Sequence, residues 1–141
     1  MKVSFLNLER LHYGLKDEIV KTITDCIDNN KFILGEEVDK FEEEFAKYNG
    51  VQYCVGLSSG LSALEIALRA LKIGNGDEVI VPINTFIATA LAVSKVGATP
   101  VFVDCDRNTF EIDSYKIEEK ITKNTKAIIP VHLYGKGFQG R

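Results

Sequence analysis

Two spacings of hydrophobic residues divide this chain into a helical first part and a second part that alternates strands with helices. Over Lys16–Asn29 and Glu36–Tyr48, apolar side chains recur every three or four residues, which predicts two amphipathic helices. Asn49-Gly50 follows the second of them and is typical of a helix end. We therefore expect residues 1–50 to form an amino-terminal helical segment.

From Val51 onward, short apolar runs alternate with helix-like stretches of about ten residues. Strands that are apolar on both faces are typical of a mostly parallel sheet with helices on both sides, which is an α/β architecture. The predicted strands are Tyr53–Leu57, Glu78–Val81, Pro100–Val103 and Ala127–Val131, and the predicted helices are Ser62–Leu71, Thr85–Val96 and Ser114–Ile121. We expect an α/β domain over 51–135 and a short tail over 136–141.

Composition and charge narrow the class of protein. Hydrophobic residues make up 45% of the 141 residues, which is ordinary for a globular core. The net charge is −3, and the lysines are interleaved with acids rather than clustered, so nucleic acid is not an expected partner. The chain shows no signal peptide and no apolar run near the roughly 20 residues of a membrane helix. Three separated cysteines without a Cys-x-x-Cys pair predict reduced thiols. We expect a soluble, cytoplasmic protein that does not bind membranes.

The turn before the first helix of the α/β part carries a candidate anion site. It consists of the small residues Ser58-Ser59-Gly60 followed by Leu61 and Ser62. Gly60 lets the backbone approach an anion closely, and the free N–H groups and dipole of the helix attract it. The alternative is a simple helix cap by Ser59 or Ser62, because small polar residues open most helices.

A second strand-to-helix turn, Pro82–Phe86, contains an aromatic residue. Ligands of parallel sheets bind at the carboxyl ends of the strands, so Phe86 is a candidate stacking surface for a planar, phosphorylated cofactor. The alternative is that Phe86 anchors the hydrophobic core. Both interpretations fit the local sequence.

Two acidic residues, Asp104 and Asp106, follow the predicted strand Pro100–Val103. Such a pair can hold Mg²⁺ or Mn²⁺ on a nucleotide diphosphate, as in nucleotide-sugar glycosyltransferases. The alternative is a strand-end turn built by the two side chains. Since no metal-ligand spacing and no nucleophile elbow are present, we assign no catalytic residue and no metal ligand.

Seven segments together resemble, in order and spacing, the amino-terminal part of the DegT/DnrJ/EryC1/StrS family of aminotransferases, which depend on pyridoxal 5′-phosphate (PLP). They are Phe32–Gly35, Ser59–Leu64, Gly76–Pro82, Asn84–Thr89, Gly97–Asp104, Ile121-Thr122 and Thr125–Gly135. The resemblance implies the large domain of the aspartate-aminotransferase fold (fold type I) and a homodimer. It also implies transfer of an amino group from glutamate to a nucleotide-linked keto sugar, in amino-sugar or polysaccharide biosynthesis.

The resemblance also implies which residues hold the cofactor. The backbone at Gly60 and Leu61, with Ser59 beside it, would bind the PLP phosphate, and Phe86 would stack on the pyridine ring. Many family members have Thr or Ser where this chain has Leu61, so that hydroxyl is absent here while the backbone N–H groups remain.

PLP chemistry also requires a Lys for the Schiff base and an acid at the ring nitrogen. In this family both lie beyond the matched segments, and the tail 136–141 no longer follows the family pattern. We therefore expect a truncated chain that is inactive as a transaminase on its own. By the same resemblance Tyr53–Leu57 lacks its pairing strand, so we expect poor solubility or self-association.

Three alternatives stay open at the level of the sequence. The first is a glycosyltransferase-like domain that binds metal and nucleotide through Asp104 and Asp106. The second is a non-catalytic interaction module. The third, within the same family, is a PLP-dependent sugar dehydratase in which His replaces the Schiff-base Lys.

Overall fold

The structure is a computed structural model that describes residue 4 and residues 6–137, and the chain divides into two compact units. These units are Met1–Gly56 and Leu57–Arg141, and each is described by itself. The first unit contains the helices α1 (Glu9–His12), α2 (Lys16–Asp28) and α3 (Glu36–Asn49). Helices α2 and α3 confirm the two predicted amphipathic helices to within one residue. The last four residues of the expected tail lie outside the described residues.

The end of α3 follows the sequence signal at Asn49-Gly50. Gly50 adopts a left-handed conformation with φ of +67°, which a glycine accepts without a steric penalty. The backbone N–H of Val51 then donates to the carbonyl oxygen of Ala46 at 3.0 Å, so a late carbonyl of the helix is satisfied.

The prediction of a strand at Tyr53–Leu57 is wrong for the described chain, which has no strand at these positions. A strand needs a partner for its backbone groups. Here the N–H of Gly56 donates instead to the Glu42 carboxylate on α3, at 2.6 Å. A Cβ at Gly56 would lie 3.3 Å from the same carboxylate oxygen, a tight contact that glycine avoids.

The second unit is a parallel sheet of three strands with helices between them. Its elements are α4 (Gly60–Ala70), β1 (Glu78–Pro82), α5 (Ala88–Lys95), β2 (Thr99–Val103), α6 (Ser114–Lys120), β3 (Thr125–Ile128) and a 3₁₀ turn at Leu133–Gly135. The strand order is β2-β1-β3, and both pairings are parallel. The α/β architecture expected from the sequence is therefore confirmed.

The side chains of β1 alternate between two hydrophobic cores, one on each face of the sheet. Val79 and Val81 belong to a cluster that includes residues of α4 and α5. Ile80 lies in a second cluster with Val103, Ile112 and Ile117, the last of which is on α6. All three β1 side chains are fully buried, as the central strand of a sheet covered on both faces requires.

Several element boundaries differ from the predicted ones by one to three residues, and the largest differences are at the start of α5 and the end of β3. Helix α5 begins at Ala88 rather than Thr85, and the chain stays in a turn until Ile87. Within this turn the Thr85 hydroxyl lies 2.9 Å from the Thr89 hydroxyl. Strand β3 ends at Ile128, two residues before Pro130, whose nitrogen has no hydrogen to donate to a sheet ladder.

The structure also bears on the expectations drawn from composition. None of the helices within the described residues is long and apolar enough to cross a membrane. The three cysteines are free and partly buried.

We predict that the isolated chain self-associates, because large apolar side chains stand exposed. Among them Tyr53 is 76% and Val55 is 71% exposed, side by side with other apolar residues of the same segment. Analytical ultracentrifugation should show concentration-dependent oligomers, and replacing Val55 by serine should shift the distribution toward monomer. A monodisperse monomer at all concentrations would contradict this expectation.

Candidate functional site

The amino terminus of α4 is capped by Ser59. Ser59 has extended backbone angles, and its Oγ accepts a hydrogen bond from the N–H of Ser62 at 3.1 Å. The cap interpretation is therefore correct, and it does not exclude an anion. The N–H groups of Gly60 and Leu61 have no acceptor within the described part of the chain, so both remain available at the positive end of the helix dipole.

Three hydroxyls surround this helix start. The Oγ of Ser62 lies 3.1 Å from that of Ser58 and 3.0 Å from that of Ser59. A Cβ placed on Gly60 would meet nothing within 4 Å, so the space above the Gly60 backbone is open. An open backbone flanked by hydroxyls is the donor set that a phosphate group needs.

One cavity of about 930 Å³ brings together all four residues that the sequence singled out for the cofactor. Ser59, Gly60 and Leu61 line it from α4, and Phe86 lines it from the turn after β1. The remaining lining residues come from the same two helix starts and are Ala63, Leu64, Ile87, Ala88 and Leu91. The cavity thus has a polar end at the helix terminus and an otherwise apolar wall, which fits a phosphorylated aromatic group.

Phe86 is not a core residue in this structure. It is 77% exposed, so the core-anchor interpretation is wrong for the described chain. Its ring is available at the cavity, which is the condition for stacking on a planar ligand.

An ion-pair network joins the two helices that border the cavity. Glu65 on α4 pairs with Arg69 at 3.0 Å and with Lys95 on α5 at 2.7 Å. Hydrogen bonds from Lys95 and Arg69 lower the pKa of the Glu65 carboxyl below its usual value. The i, i+4 spacing of Glu65 and Arg69 is a helix signal in the sequence, whereas the pairing with Lys95, thirty residues later, depends on how α4 packs on α5.

The acidic pair after β2 forms a turn. The Asp106 carboxylate accepts the N–H groups of Asn108 and Thr109, each at 2.9 Å, and these bonds lower its pKa. The Asp104 carboxylate accepts the N–H of Cys105 and pairs with Lys116, and these contacts lower the pKa of Asp104. In the part of the chain that the structure describes, no group of three or more His, Cys, Asp or Glu side chains could hold a metal ion. The turn interpretation of Asp104 and Asp106 accounts for both side chains.

Similarity to solved structures shows that the fold is that of the amino-terminal part of fold type I aminotransferases, which use PLP. DesV of S. venezuelae, solved with a ketimine intermediate, matches 97% of this chain with 44% identity and a TM-score of 0.90. NtdA of Bacillus subtilis, solved with the cofactor PMP, matches 97% with 43% identity and a TM-score of 0.89. The chain covers 37% and 32% of those two chains.

The sequence pattern of the DegT/DnrJ/EryC1/StrS aminotransferase family matches residues 14–139, and the chain belongs to that family. It is 52% identical over 133 residues to a dTDP-3-amino-3,6-dideoxy-alpha-D-galactopyranose transaminase of Aneurinibacillus thermoaerophilus. It is 55% identical over 127 residues to a UDP-N-acetyl-3-dehydro-alpha-D-glucosamine 3-aminotransferase of Acidithiobacillus ferrooxidans. These alignments include 94% and 89% of this chain but 37% and 34% of the relatives, so the chain spans about a third of their length.

Proposed function

We propose that this chain forms the phosphate-binding and ring-stacking walls of a PLP site in an aminotransferase that acts on nucleotide-linked keto sugars. Glutamate would be the amino donor, the active assembly a homodimer and the location the cytoplasm. The observation that carries the proposal is the single cavity shared by the free α4 terminus and the exposed ring of Phe86.

The substrate class is supported by the printed activities of the similar proteins. The two relatives described above act on sugars linked to dTDP and to UDP, and both are named for amino transfer. A third, 48% identical over 114 residues, is the GDP-perosamine synthase of Escherichia coli O157:H7. Three different nucleotides among these relatives support the class of nucleotide-linked sugar and leave the nucleotide open.

The described residues fit the phosphate and ring of PLP. When bound, PLP supplies an electron sink for the transfer of an amino group. The N–H groups of Gly60 and Leu61 would donate to phosphate oxygens, with the hydroxyl of Ser59 at their side. The ring of Phe86 would hold the pyridine ring by stacking and keep water from one of its faces.

A glycine-to-alanine substitution tests this function without disturbing the fold. Because a Cβ at Gly60 meets no protein atom, Gly60→Ala should leave stability unchanged or raise it by up to about 1 kcal/mol through helix propensity. The methyl group would occupy the space next to the donors. The affinity for PLP should therefore fall by about tenfold to a hundredfold, as expected for a lost charged hydrogen bond.

The measurement is a fluorescence titration with PLP, and in parallel with inorganic phosphate, monitored with a thermal melt. Gly14→Ala is the matched control, because a Cβ at Gly14 also meets nothing within 4 Å and Gly14 belongs to the other unit. Equal affinities for the unchanged chain and Gly60→Ala, or no binding by the unchanged chain, would contradict the proposed function.

A further inference from the structure

We infer that Asn84 is a positioning residue for Phe86, and this inference rests on the proposed function. Asn84 lies in the turn between β1 and α5, two residues before the ring that lines the cavity. Its side-chain Nδ2 donates to the carbonyl oxygen of Phe110 at 2.9 Å. The bond joins the turn that carries Phe86 to the loop that follows β2 and spans residues 104–113.

Among the described residues, three further hydrogen bonds hold the turn that carries Phe86. The N–H of Ile83 donates to the carbonyl oxygen of Val103 at the end of β2, at 2.9 Å. The Thr85 and Thr89 hydroxyls lie 2.9 Å apart, and the N–H of Thr89 donates to the carbonyl oxygen of Phe86 at 3.1 Å. The two Thr89 bonds tie the turn to its own helix. In the part of the chain that the structure describes, the Asn84 bond is therefore the one that joins residues 84–87 to a second element.

The acceptor side of the Asn84 bond is built at a conformational cost. Phe110 has φ of +61°, a left-handed conformation that is unfavourable for a bulky side chain. Strain of this kind persists only where surrounding bonds fix it, and here the N–H of Phe110 donates to the carbonyl oxygen of Asp106 at 2.9 Å. Asp106 in turn is fixed by the N–H groups of Asn108 and Thr109.

The chemistry of the two partners fixes the orientation of the Asn84 amide. A backbone carbonyl only accepts hydrogen bonds, so the atom facing Phe110 must be the Nδ2 donor and not the Oδ1 acceptor. Replacing Asn84 by aspartate would place a negatively charged acceptor against an acceptor, and replacing it by alanine would leave the turn without this bond. Both changes should release the Phe86 ring from its place at the cavity.

A double-mutant cycle on the full chain tests the inference, with PLP and inorganic phosphate as the probes. Removal of a stacking ring costs about tenfold or more in affinity, so Phe86→Ala should weaken PLP binding by that much. In the unchanged chain, Asn84→Ala should weaken PLP binding about threefold to tenfold. In a chain that already carries Phe86→Ala, the same substitution should weaken PLP binding by less than about twofold further, since the effects of coupled residues are not additive. Inorganic phosphate, which needs no ring, should bind all variants within about twofold.

Asn49→Ala is the matched control, because the Asn49 side chain makes the same kind of exposed bond to the carbonyl oxygen of Phe45, at 2.8 Å, in the other unit. The inference is overturned if Asn84→Ala weakens PLP binding no more than Asn49→Ala, or if its effect adds in full to that of Phe86→Ala. In that case PLP still binds the unchanged chain and the proposed function stands. If the unchanged chain binds no PLP, the proposed function fails and the inference fails with it.

Discussion

Replacing Ile80 by alanine is expected to destabilise the second unit by about 2–5 kcal/mol, the range measured for truncating a buried aliphatic side chain. Ile80 is fully buried on the central strand and packs in the cluster with Val103, Ile112 and Ile117. The substitution removes apolar contacts and leaves a cavity between the sheet and α6, which cannot collapse while β1 stays paired on both sides. Urea denaturation followed by far-UV circular dichroism gives the change in the free energy of unfolding.

Ile121→Ala is the control for this prediction. Ile121 follows α6 in the same unit and is 54% exposed, so the same chemical change should cost less than about 1 kcal/mol. If both variants lost equal stability, the burial of Ile80 between sheet and helix would be incorrect.

Gly97→Ala should have the second large effect. Gly97 lies two residues after the end of α5 and has φ of +84°, a region that alanine adopts only at a cost of roughly 1–2 kcal/mol. A Cβ at this position would also collide with the side-chain oxygen of Asn75. Because Asn75 is exposed and its side chain can turn away, this contact adds at most about 1 kcal/mol, and we expect a total loss of about 1–3 kcal/mol in the free energy of unfolding.

Gly76→Ala separates the two causes. Gly76 also has a positive φ, of +89°, but a Cβ there meets nothing within 4 Å. It should therefore lose only the conformational part, about 1–2 kcal/mol. A Gly97→Ala variant that lost no more than Gly76→Ala in the same urea titration would show that Asn75 moves aside freely.

The sequence predicted the sheet because the strands of the second unit carry their pattern locally. β1 is apolar at Val79, Ile80 and Val81, and a strand without a polar face must be covered on both sides, as the two cores confirm. The helix start at Ser59-Gly60 was likewise visible, because small polar residues that precede an apolar repeat predict a cap.

Features that depend on partners distant in the chain were not predictable from the local pattern. Tyr53–Leu57 has the composition of a strand, but a strand forms only beside another strand, and Gly56 instead bonds Glu42, fourteen residues earlier. The Asn84 contact joins residues 26 positions apart and depends on the strained backbone of Phe110. A local motif predicts a cap or a turn and does not identify such an acceptor.

The binding of PLP at the terminus of α4 is the central claim, and ³¹P nuclear magnetic resonance tests it most directly. The phosphorus signal of PLP should shift when the chain is added and return to its free position when inorganic phosphate is added in excess. That result would mean that the chain holds PLP through its phosphate, since both ligands share only that group, and loss of the shift in Gly60→Ala would place the site at the terminus of α4. A signal that stays at the position of free PLP at every chain concentration would contradict the account.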